Sequence, residues 1–304
     1  MAYYKKFLKF GEININNIDN KTLAFKTKEI INKYNFAFKK NFGQNFLIDQ
    51  LVLDKIVNSA NISNEDIVIE VGPGIGTLTA CLAKNAKKVI AVEIDKTLIP
   101  ILEDTLSNFN NIEIINEDIL KVDINKIAEE NKGYNIKVIA NLPYYITTPI
   151  IMNILENRLP IDSITVMIQK EVAYRMEAKP GTKDYGSLSV VVQYFCEPYL
   201  VANVPRNCFM PRPNVDSAVI RLTTLDKPPV DVENLELFYY IVKVAFSQRR
   251  KTLLNCMFNA ENFKFDKEQI GKILEEAGFD INIRGERLTI KDFANLTKVI
   301  EKNL

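Results

Sequence analysis

The 304-residue sequence contains no histidine. This excludes every mechanism that needs an imidazole, including Ser-His and Cys-His nucleophilic pairs and the usual histidine-rich metal sites. Cysteine is also scarce. The four residues are widely spaced and none forms a CxxC pair, which argues against a structural zinc site and a disulfide scaffold. No metal is therefore predicted, and the cysteines are expected to be reduced and mostly packed (Cys81, Cys196, Cys208 and Cys256).

Long apolar runs are missing as well. No segment approaches the roughly 18 consecutive apolar residues that span a membrane. The N-terminus, MAYYKKFLKF, is basic and aromatic but not continuously apolar, and the first arginine is Arg158. Secretory signals need an apolar segment and transit peptides are usually rich in arginine, so neither is predicted. A cytoplasmic protein that does not associate with membranes is expected.

Charge is nearly balanced over the whole chain, at a net +1, and makes no case for a nucleic-acid partner. Its distribution is less even. Residues 1–40 hold nine lysines against three acids, and residues 237–260 hold four cations and no acid (Lys243, Arg249, Arg250 and Lys251). Such patches suit phosphate contacts, but a solvated charged face has the same composition. Charge alone leaves both interpretations open.

Short β-branched runs alternate with longer amphipathic stretches from about Asp66 onward. Helices are predicted over 76–85, 97–108 and 148–157, and the βαβα order implies a parallel sheet covered by helices on both faces. Two further runs, 188–195 and 217–223, are predicted to close the sheet as an antiparallel pair. The predicted parallel strands cover 67–71, 89–94, 112–115, 137–141 and 164–168.

The prolines in DKPPVD at 226–231 are typical of a linker, and residues 233–304 are almost wholly helical in pattern. These signals predict an α/β domain over 26–225 and a small all-helical domain over 226–304. Residues 1–25 form an N-terminal extension, interpreted either as a basic RNA-contacting arm or as a loosely packed tail. No dimerisation stripe is evident, so a monomer is expected.

A glycine-rich turn, GPGIG at 72–76, joins the first parallel strand to a helix. Glycines at such a turn let the backbone approach a ligand closely and leave the N–H groups of the helix N-terminus available. Strand two ends at Glu93, where a carboxylate can accept both hydroxyls of an adenosyl ribose. Strand three ends at Asp118, where a carboxylate can accept from an adenine amino group.

A plain tight turn and an NAD site are the competing interpretations. The NAD fingerprint is spaced GxGxxG, whereas the spacing here is GxGxG, with the acid Glu70 before the triplet. Together with acids at the ends of strands two and three, this pattern resembles the S-adenosylmethionine site of class I methyltransferases. The resemblance implies S-adenosylmethionine as the methyl donor and a Rossmann-like sheet.

Strand four leads directly into Asn141-Leu142-Pro143-Tyr144, at the end of the sheet where open α/β folds carry their chemistry. An adenine N6 amine is a poor nucleophile because its lone pair is delocalised into the ring. The side-chain oxygen of Asn141 and a neighbouring backbone carbonyl can each accept one N6 hydrogen. This positions the nitrogen for in-line attack and stabilises its developing positive charge, without a base that titrates near neutrality.

Tyr144 is predicted to stack on the adenine, which must leave its own stack to reach the methyl donor. A turn with a buried tyrosine is the alternative. The position of the tetrapeptide at a predicted strand end, downstream of the glycine turn, favours the catalytic interpretation. The predicted catalytic segment is Asn141, Leu142, Pro143 and Tyr144.

Five segments carry a wider resemblance: KKNFGQNFL at 39–47, the glycine turn, NLPY at 141–144, FMPRPNVDS at 209–217 and AFSQRRKTLLN at 245–255. In this order they resemble the ribosomal RNA adenine N6,N6-dimethyltransferases, over roughly residues 26–300. The resemblance implies that Phe209 helps to hold the flipped base opposite Tyr144. The cofactor contacts that it implies are Asn45, Leu47, Gly72, Gly74, Glu93, Asp118 and Asn141.

This family has two branches with different RNA substrates. One dimethylates two adjacent adenines near the 3′ end of small-subunit (16S) ribosomal RNA during ribosome biogenesis, and the other modifies a large-subunit adenine and confers antibiotic resistance. FSQRRKTLLN, FxPxPxVDS, QKEVAYRM at 169–176 and YGSLSV at 185–190 resemble the first branch in its bacterial form. The expected partner is therefore small-subunit ribosomal RNA in an immature small-subunit particle.

Two other functions stay open: the large-subunit enzyme, and an assembly factor that mainly binds the particle. The intact NLPY segment and glycine turn favour catalysis, because a pure binder has no evident need for them. Arg249, Arg250 and Lys251 are predicted to contact RNA phosphates. The alternative is that they pair with Glu275 and Glu276 on a neighbouring helix.

Overall fold

The computed structural model describes residues 22–39, 42–261 and 263–304. Most of the predicted N-terminal extension, residues 1–21, lies outside the described residues. Its two interpretations therefore stay predictions. Helix α1 (Leu23–Lys33) begins inside the predicted extension. It starts there because the Thr22 side chain accepts a hydrogen bond from the Phe25 N–H, which caps the first turn.

The described residues form one seven-stranded sheet and one two-stranded sheet. In the large sheet the order is β4-β3-β2-β5-β6-β9-β7; the first five strands run parallel, and β9 pairs antiparallel with both β6 and β7. β1 pairs antiparallel with β8. The strands are β1 (Phe46–Leu47), β2 (Asp66–Val71), β3 (Lys88–Val92), β4 (Ile112–Ile115), β5 (Asn135–Asn141), β6 (Ser163–Gln169), β7 (Cys196–Val204), β8 (Phe209–Met210) and β9 (Ser217–Thr224).

Helices cover both faces of the large sheet. Alternate residues of β2 belong to different hydrophobic clusters: Ile67 and Ile69 pack on one face and Val68 on the other. This confirms the predicted α/β fold with its mostly parallel sheet. The further helices are α2 (Gln50–Ser59), α3 (Thr77–Ala83), α4 (Ile99–Thr105), α5 (Ile124–Glu130), α6 (Thr147–Glu156), α7 (Lys170–Glu177), α8 (Ser187–Phe195), α9 (Leu235–Ala245), α10 (Leu253–Phe258), α11 (Lys267–Glu276) and α12 (Ile290–Asn303).

The strand predicted over 188–195 is wrong, because these residues form helix α8. Leu188 and Val191 pack into the cluster under the sheet, whereas Val190 and Tyr194 pack into the cluster of the C-terminal helices. Because both sides are buried, the run is almost continuously apolar, and a short apolar run cannot be told from a buried strand by its period alone. An antiparallel pair closes the sheet, as predicted. One member is β9, at the predicted position, and the other is β7, which was not predicted.

The C-terminal helices α9 to α12 surround their own hydrophobic cluster, centred on the fully buried Phe238 and Phe293. The residues between β9 and α9 contain no helix or strand, in agreement with the linker signal at 226–231. The domain boundaries stay a prediction. Among the helices of the described ranges, none is long and apolar enough to cross a bilayer.

Candidate active site

Four parallel strands end at one edge of the sheet, and the segments that follow them line a single cavity. Parallel strands place their carboxyl ends side by side, which is why residues far apart in sequence meet there. The segment 42–47 closes the cavity from the opposite side; we call it the roof. The cavity brings together the predicted residues Asn45, Leu47, Gly72, Gly74, Glu93, Asp118, Asn141, Leu142, Pro143 and Tyr144.

Glycine is required at position 74 by both backbone conformation and packing. Gly74 has a φ of +60°, in the left-handed region that disfavours other residues. A Cβ at this position would also lie 3.0 Å from the ring of Phe46 in the roof. The glycine turn therefore fits closely under the roof.

Glu93 directly follows β3 and is 4% exposed. Its Oε1 accepts the Asp95 N–H at 2.8 Å, and its Oε2 accepts the Gly74 N–H at 3.4 Å. Burial raises the pKa of this carboxyl to about 7, while those backbone hydrogen bonds oppose the rise. A carboxylate that is fixed in this way can accept hydrogen bonds from a sugar in the cavity.

Glu70 precedes the glycine turn and is 1% exposed. Burial raises its pKa to about 8; the Thr79 hydroxyl opposes the rise and the nearby Glu93 adds to it. Its Oε2 has no hydrogen-bond partner among the described residues. The Thr79 hydroxyl, which is buried and also lacks a partner among the described residues, is the donor that acts on this carboxyl. Glu70 belongs to the sequence motif, but no separate role was predicted for it.

The roof and Lys39, which precedes it in the chain, are tied to the β3 side of the cavity through Asp95, whose side chain is 1% exposed. Its Oδ1 accepts from the Lys39 ammonium at 2.8 Å and its Oδ2 accepts from the Gln44 amide at 2.8 Å. The Gln44 side chain in turn accepts the Lys39 N–H at 2.8 Å. Asp95 thereby links the roof to Glu93, which accepts the Asp95 N–H. No sequence pattern indicated a role for Lys39, Gln44 or Asp95.

Asn141 ends β5, and its side-chain Nδ2 donates to the Asn45 carbonyl at 2.9 Å. Among the described residues, no donor pairs with Oδ1 of Asn141, and none pairs with the carbonyl oxygen of Leu142. The Leu142 side chain is 1% exposed and belongs to the core, so only its backbone is available for chemistry. Two unpaired acceptors thus stand next to each other at the strand end.

Two tyrosines line the cavity after Pro143. The Tyr144 hydroxyl lies 2.8 Å from the Ser217 hydroxyl at the start of β9, and burial raises its pKa. Tyr145 is 55% exposed, and burial followed by the charges of Asp118 and Glu93 raises its pKa. Tyr145 is therefore near the acids of the cavity, a position that the sequence did not indicate.

Phe209 does not line the cavity. It is 4% exposed and pairs with Leu47 between the two short strands β1 and β8. It also belongs to the hydrophobic cluster that includes Leu53 and Val219. Its proposed contact with a flipped base therefore stays a prediction, and its visible role is to anchor the roof through the β1–β8 pair.

A family of known proteins matches this chain over residues 35–302, described as ribosomal RNA adenine dimethylase. The chain belongs to this family. It is 58% identical to the ribosomal RNA small subunit methyltransferase A of Lachnoclostridium phytofermentans, over 92% of this chain and 97% of the relative. It is 55% identical to the protein of the same name from Alkaliphilus oremlandii, over 92% of this chain and 97% of the relative.

Solved structures of dimethylases and related enzymes share the fold. A dimethyladenosine transferase from Plasmodium falciparum is 29% identical, with a TM-score of 0.72, and the match covers 85% of this chain and 98% of that one. The 23S rRNA methyltransferase ErmE is 28% identical, with a TM-score of 0.62, over 84% of this chain and 100% of that one.

The predicted RNA-contacting cations of this dimethylase lie on an exposed loop between α9 and α10. Arg249 donates to the main-chain oxygen of Lys183, in the loop between α7 and α8. The alternative pairing with Glu276 is wrong, because Glu276 pairs with Lys302 at 2.7 Å. In the described part of the chain, no ion pair joins these cations to Glu275 either. Contact with RNA stays a prediction.

The described residues of the dimethylase show no group of three His, Cys, Asp or Glu side chains placed to hold a metal ion. The four cysteines are free, and three of them are buried. Burial raises the pKa of the Cys196 thiol to about 12 and that of Cys208 to about 11. Such thiols are weak nucleophiles near neutral pH, which suits a packing role.

Proposed function

We propose that this chain is an S-adenosylmethionine-dependent methyltransferase that dimethylates N6 of two adjacent adenines near the 3′ end of 16S ribosomal RNA, during ribosome biogenesis. The observation that carries the proposal is the orientation of the Asn141 amide. Its nitrogen is engaged by Asn45, and its oxygen stays available beside the carbonyl of Leu142. Family membership over residues 35–302 supports the same reaction.

The cavity fits S-adenosylmethionine on its own chemistry. Gly74 leaves room for a close backbone approach, and the buried Glu93 offers two carboxylate oxygens to the ribose hydroxyls. Asp118 does not end β4 as predicted but lies three residues beyond it; it still lines the cavity and can accept from the adenine amino group of the cofactor. The bound cofactor supplies a methyl group on a positively charged sulfur.

The chain itself positions the nucleophile. Oδ1 of Asn141 and the carbonyl oxygen of Leu142 accept the two hydrogens of the adenine N6, which holds the nitrogen at the strand end and favours a pyramidal geometry. Both oxygens carry partial negative charge, so they stabilise the positive charge that develops on N6. Neither atom is basic, and the displaced N6 proton leaves to water. Tyr144, with its hydroxyl held by Ser217, supplies a ring on which the flipped base stacks.

The small-subunit substrate is favoured over the large-subunit one by the degree of similarity. Relatives between 51% and 58% identical, each matched over at least 90% of this chain, are named small subunit methyltransferases. The 23S rRNA methyltransferase ErmE is 28% identical. An immature small-subunit particle in the bacterial cytoplasm is therefore the proposed partner and location, and the chain is expected to act as a monomer.

The test is transfer of a labelled methyl group from S-adenosylmethionine into undermethylated small-subunit particles and, separately, into large-subunit particles. We expect label in the small-subunit RNA alone. Label in the large subunit would move the chain to the resistance branch. Tight binding to the small-subunit particle without any transfer would make the chain an assembly factor instead.

A further inference from the structure

A second cleft lies beside the cavity, at the carboxyl end of β6. Its volume is about 540 Å³, within the usual range of ligand pockets. Lys170 and Tyr174 of α7 form one wall, and Arg206 with residues 214–216 forms the other. Asp184, from the loop between α7 and α8, closes one end. We call it the β6 cleft; it shares none of its lining residues with the cavity.

The β6 cleft and the predicted base site are linked through one hydrogen bond, between Tyr144 and Ser217. Tyr144 lines the cavity, and its hydroxyl pairs at 2.8 Å with Ser217. The preceding residue, Asp216, lines the β6 cleft, and its carbonyl accepts the Lys170 N–H at 3.0 Å. The order along the sheet edge is therefore cofactor acids, Asn141 with Tyr144, and then the β6 cleft. A strand whose base is flipped against Tyr144 can therefore reach the β6 cleft with the neighbouring nucleotide.

The side chains of the β6 cleft are those that bind single-stranded nucleic acid. The Tyr174 ring is 37% exposed, and the Lys170 ammonium lies 5.5 Å from its centroid. Val215 adds an apolar surface that is 42% exposed. Arg206 is exposed, and one guanidinium nitrogen donates to the Asn214 carbonyl at 3.4 Å, which holds the fork at the rim. Aromatic rings flanked by cations stack bases and contact phosphates without needing a particular sequence.

The far end of the β6 cleft leads to the C-terminal cations. Asp184 lines that end, and its neighbour Lys183 accepts a hydrogen bond from Arg249 through its carbonyl. This hydrogen bond joins the loop that carries Arg249, Arg250 and Lys251 to the residue next to the cleft lining. The cleft also contains Glu171, Asp184 and Asp216, but Asp216 already accepts the Arg206 N–H at 3.0 Å. Counted with Lys183 and the loop, the cations along this path outnumber the acids.

We propose that the β6 cleft binds the nucleotide next to the target adenine and leads the flanking single strand of RNA toward Arg249, Arg250 and Lys251. This inference rests on the proposed function and names the part of its substrate that the cavity does not hold. Tyr174 stacks on the adjoining base, and Lys170 and Arg206 contact the phosphates on either side. While one of two adjacent adenines reacts, its neighbour occupies the cleft.

The test compares steady-state methyl transfer into undermethylated small-subunit particles by cleft variants and matched controls. We expect Tyr174→Ala to raise KM for the particle by about tenfold, because loss of one stacked base has an effect of this size. Tyr174→Phe keeps the ring and should stay close to the wild type. The control is Tyr199→Ala, which removes a tyrosine that is 65% exposed on β7 and outside the cleft.

The contribution of the cleft cations to RNA binding is tested with the double variant Lys170→Met/Arg206→Met. The control is Lys272→Met, because Lys272 is an exposed cation of α11 outside the cleft. The double variant should raise KM and flatten the salt dependence of particle binding, since two phosphate contacts are lost. The affinity for S-adenosylhomocysteine should not change in any of these variants. If the cleft variants have the same KM as their controls, the proposal is wrong.

A photo-crosslinking residue at position 174 separates this proposal from the proposed function. Crosslinks to the nucleotide beside the methylated adenine support the assignment. Crosslinks only to a ribosomal protein, only to distant RNA, or to nothing overturn it. If the wild type transfers no methyl group to small-subunit RNA, the proposed function fails, and the crosslinked nucleotide still decides whether the β6 cleft holds RNA.

Discussion

The side-chain nitrogen of Asn141 lies 2.9 Å from the main-chain oxygen of Asn45, across the cavity between β5 and the roof. A carbonyl oxygen only accepts hydrogen bonds, so the amide nitrogen must face it and Oδ1 must face away. One contact therefore orients the proposed catalytic acceptor and also holds the roof. The residues are 96 positions apart in the chain, and both line the cavity.

An aspartate at position 141 tests this relationship, because it keeps the size and one acceptor but removes the donor. Asn141→Asp places a carboxylate oxygen against the Asn45 carbonyl, which should displace the roof and reduce methyl transfer by about 10²-fold or more. The control is Asn157→Asp. Asn157 also donates to a backbone carbonyl at 2.9 Å, but on the exposed end of α6. Equal activity in the two variants would show that the Asn141 orientation is unimportant.

The Asp95 network predicts that the roof contributes to cofactor affinity. Lys39→Met removes one of the donors to a carboxylate that is 1% exposed, which should weaken S-adenosylhomocysteine binding by about tenfold, equivalent to about 1–2 kcal/mol. Lys33→Met is the matched control, since Lys33 pairs with Asp104 at 2.6 Å but both side chains are about half exposed. Calorimetric titration of the two variants provides the comparison. Similar affinities would mean that the roof does not depend on Asp95.

Two buried carboxyls predict a pH dependence of ligand binding. Burial raises the pKa of Glu93 to about 7 and that of Glu70 to about 8, above the ordinary 4.5, so the folded protein without ligand holds protons that the unfolded chain has released. A cationic ligand such as sinefungin favours the ionised forms. Its affinity should therefore rise with pH from about 6 to about 8, by at most about tenfold per pH unit for each proton released.

The same groups act on stability with the opposite sign. Because their folded pKa values lie above the unfolded ones, their contribution is fully present below pH 4.5 and is lost as the pH rises through about 7 and 8. Glu93→Gln and Glu70→Gln should flatten both profiles, measured by titration and by thermal melting. Unchanged slopes would exclude these two carboxyls as the source. The charge of Asp95 also raises the pKa of Glu93, and salt screens such interactions. The pH profiles should therefore be compared at one constant ionic strength.

A buried ion pair predicts a large difference between two lysine variants. The Lys137 ammonium lies 2.9 Å from Asp66 and 2.6 Å from the Asn61 carbonyl, with the side chains 7% and 1% exposed for Lys137 and Asp66. Lys137→Met leaves a buried carboxylate without its cation and should lower the free energy of unfolding by about 3–5 kcal/mol. Lys88→Met breaks an exposed pair with Glu113 and should cost at most about 1 kcal/mol. Denaturant unfolding of both variants measures the contrast.

The parallel strands were predictable as short buried runs, and the position of the cavity was predictable because four of them lead into residues with a clear chemical role. Glu93 and Asn141 are examples: each follows or ends a strand, so the fold alone places it at the sheet edge. Helix α8 could not be predicted in this way. Its apolar run serves two hydrophobic clusters at once, and only the packed structure separates Val190 from Val191.

The contacts that hold the roof could not be predicted from the sequence, for a different reason. Nothing local in Lys39 or Gln44 indicates a partner more than 50 residues away, and Asp95 appears as one more acid after β3. The one available signal was the two-residue spacing between Glu93 and Asp95, which places both carboxyls at the same strand end. Tyr145 follows the last residue of the motif, and no sequence pattern indicates that it lines the cavity.

The proposed mechanism is tested most directly by a time course of N6-methyladenosine and N6,N6-dimethyladenosine in undermethylated small-subunit particles, measured by mass spectrometry for the wild type and for Asn141→Ala. We expect the wild type to form the monomethylated and then the dimethylated nucleoside, and Asn141→Ala to form neither at a comparable rate while it still binds the particle. Unchanged dimethylation by Asn141→Ala, or a different modified nucleoside from the wild type, would contradict this mechanism.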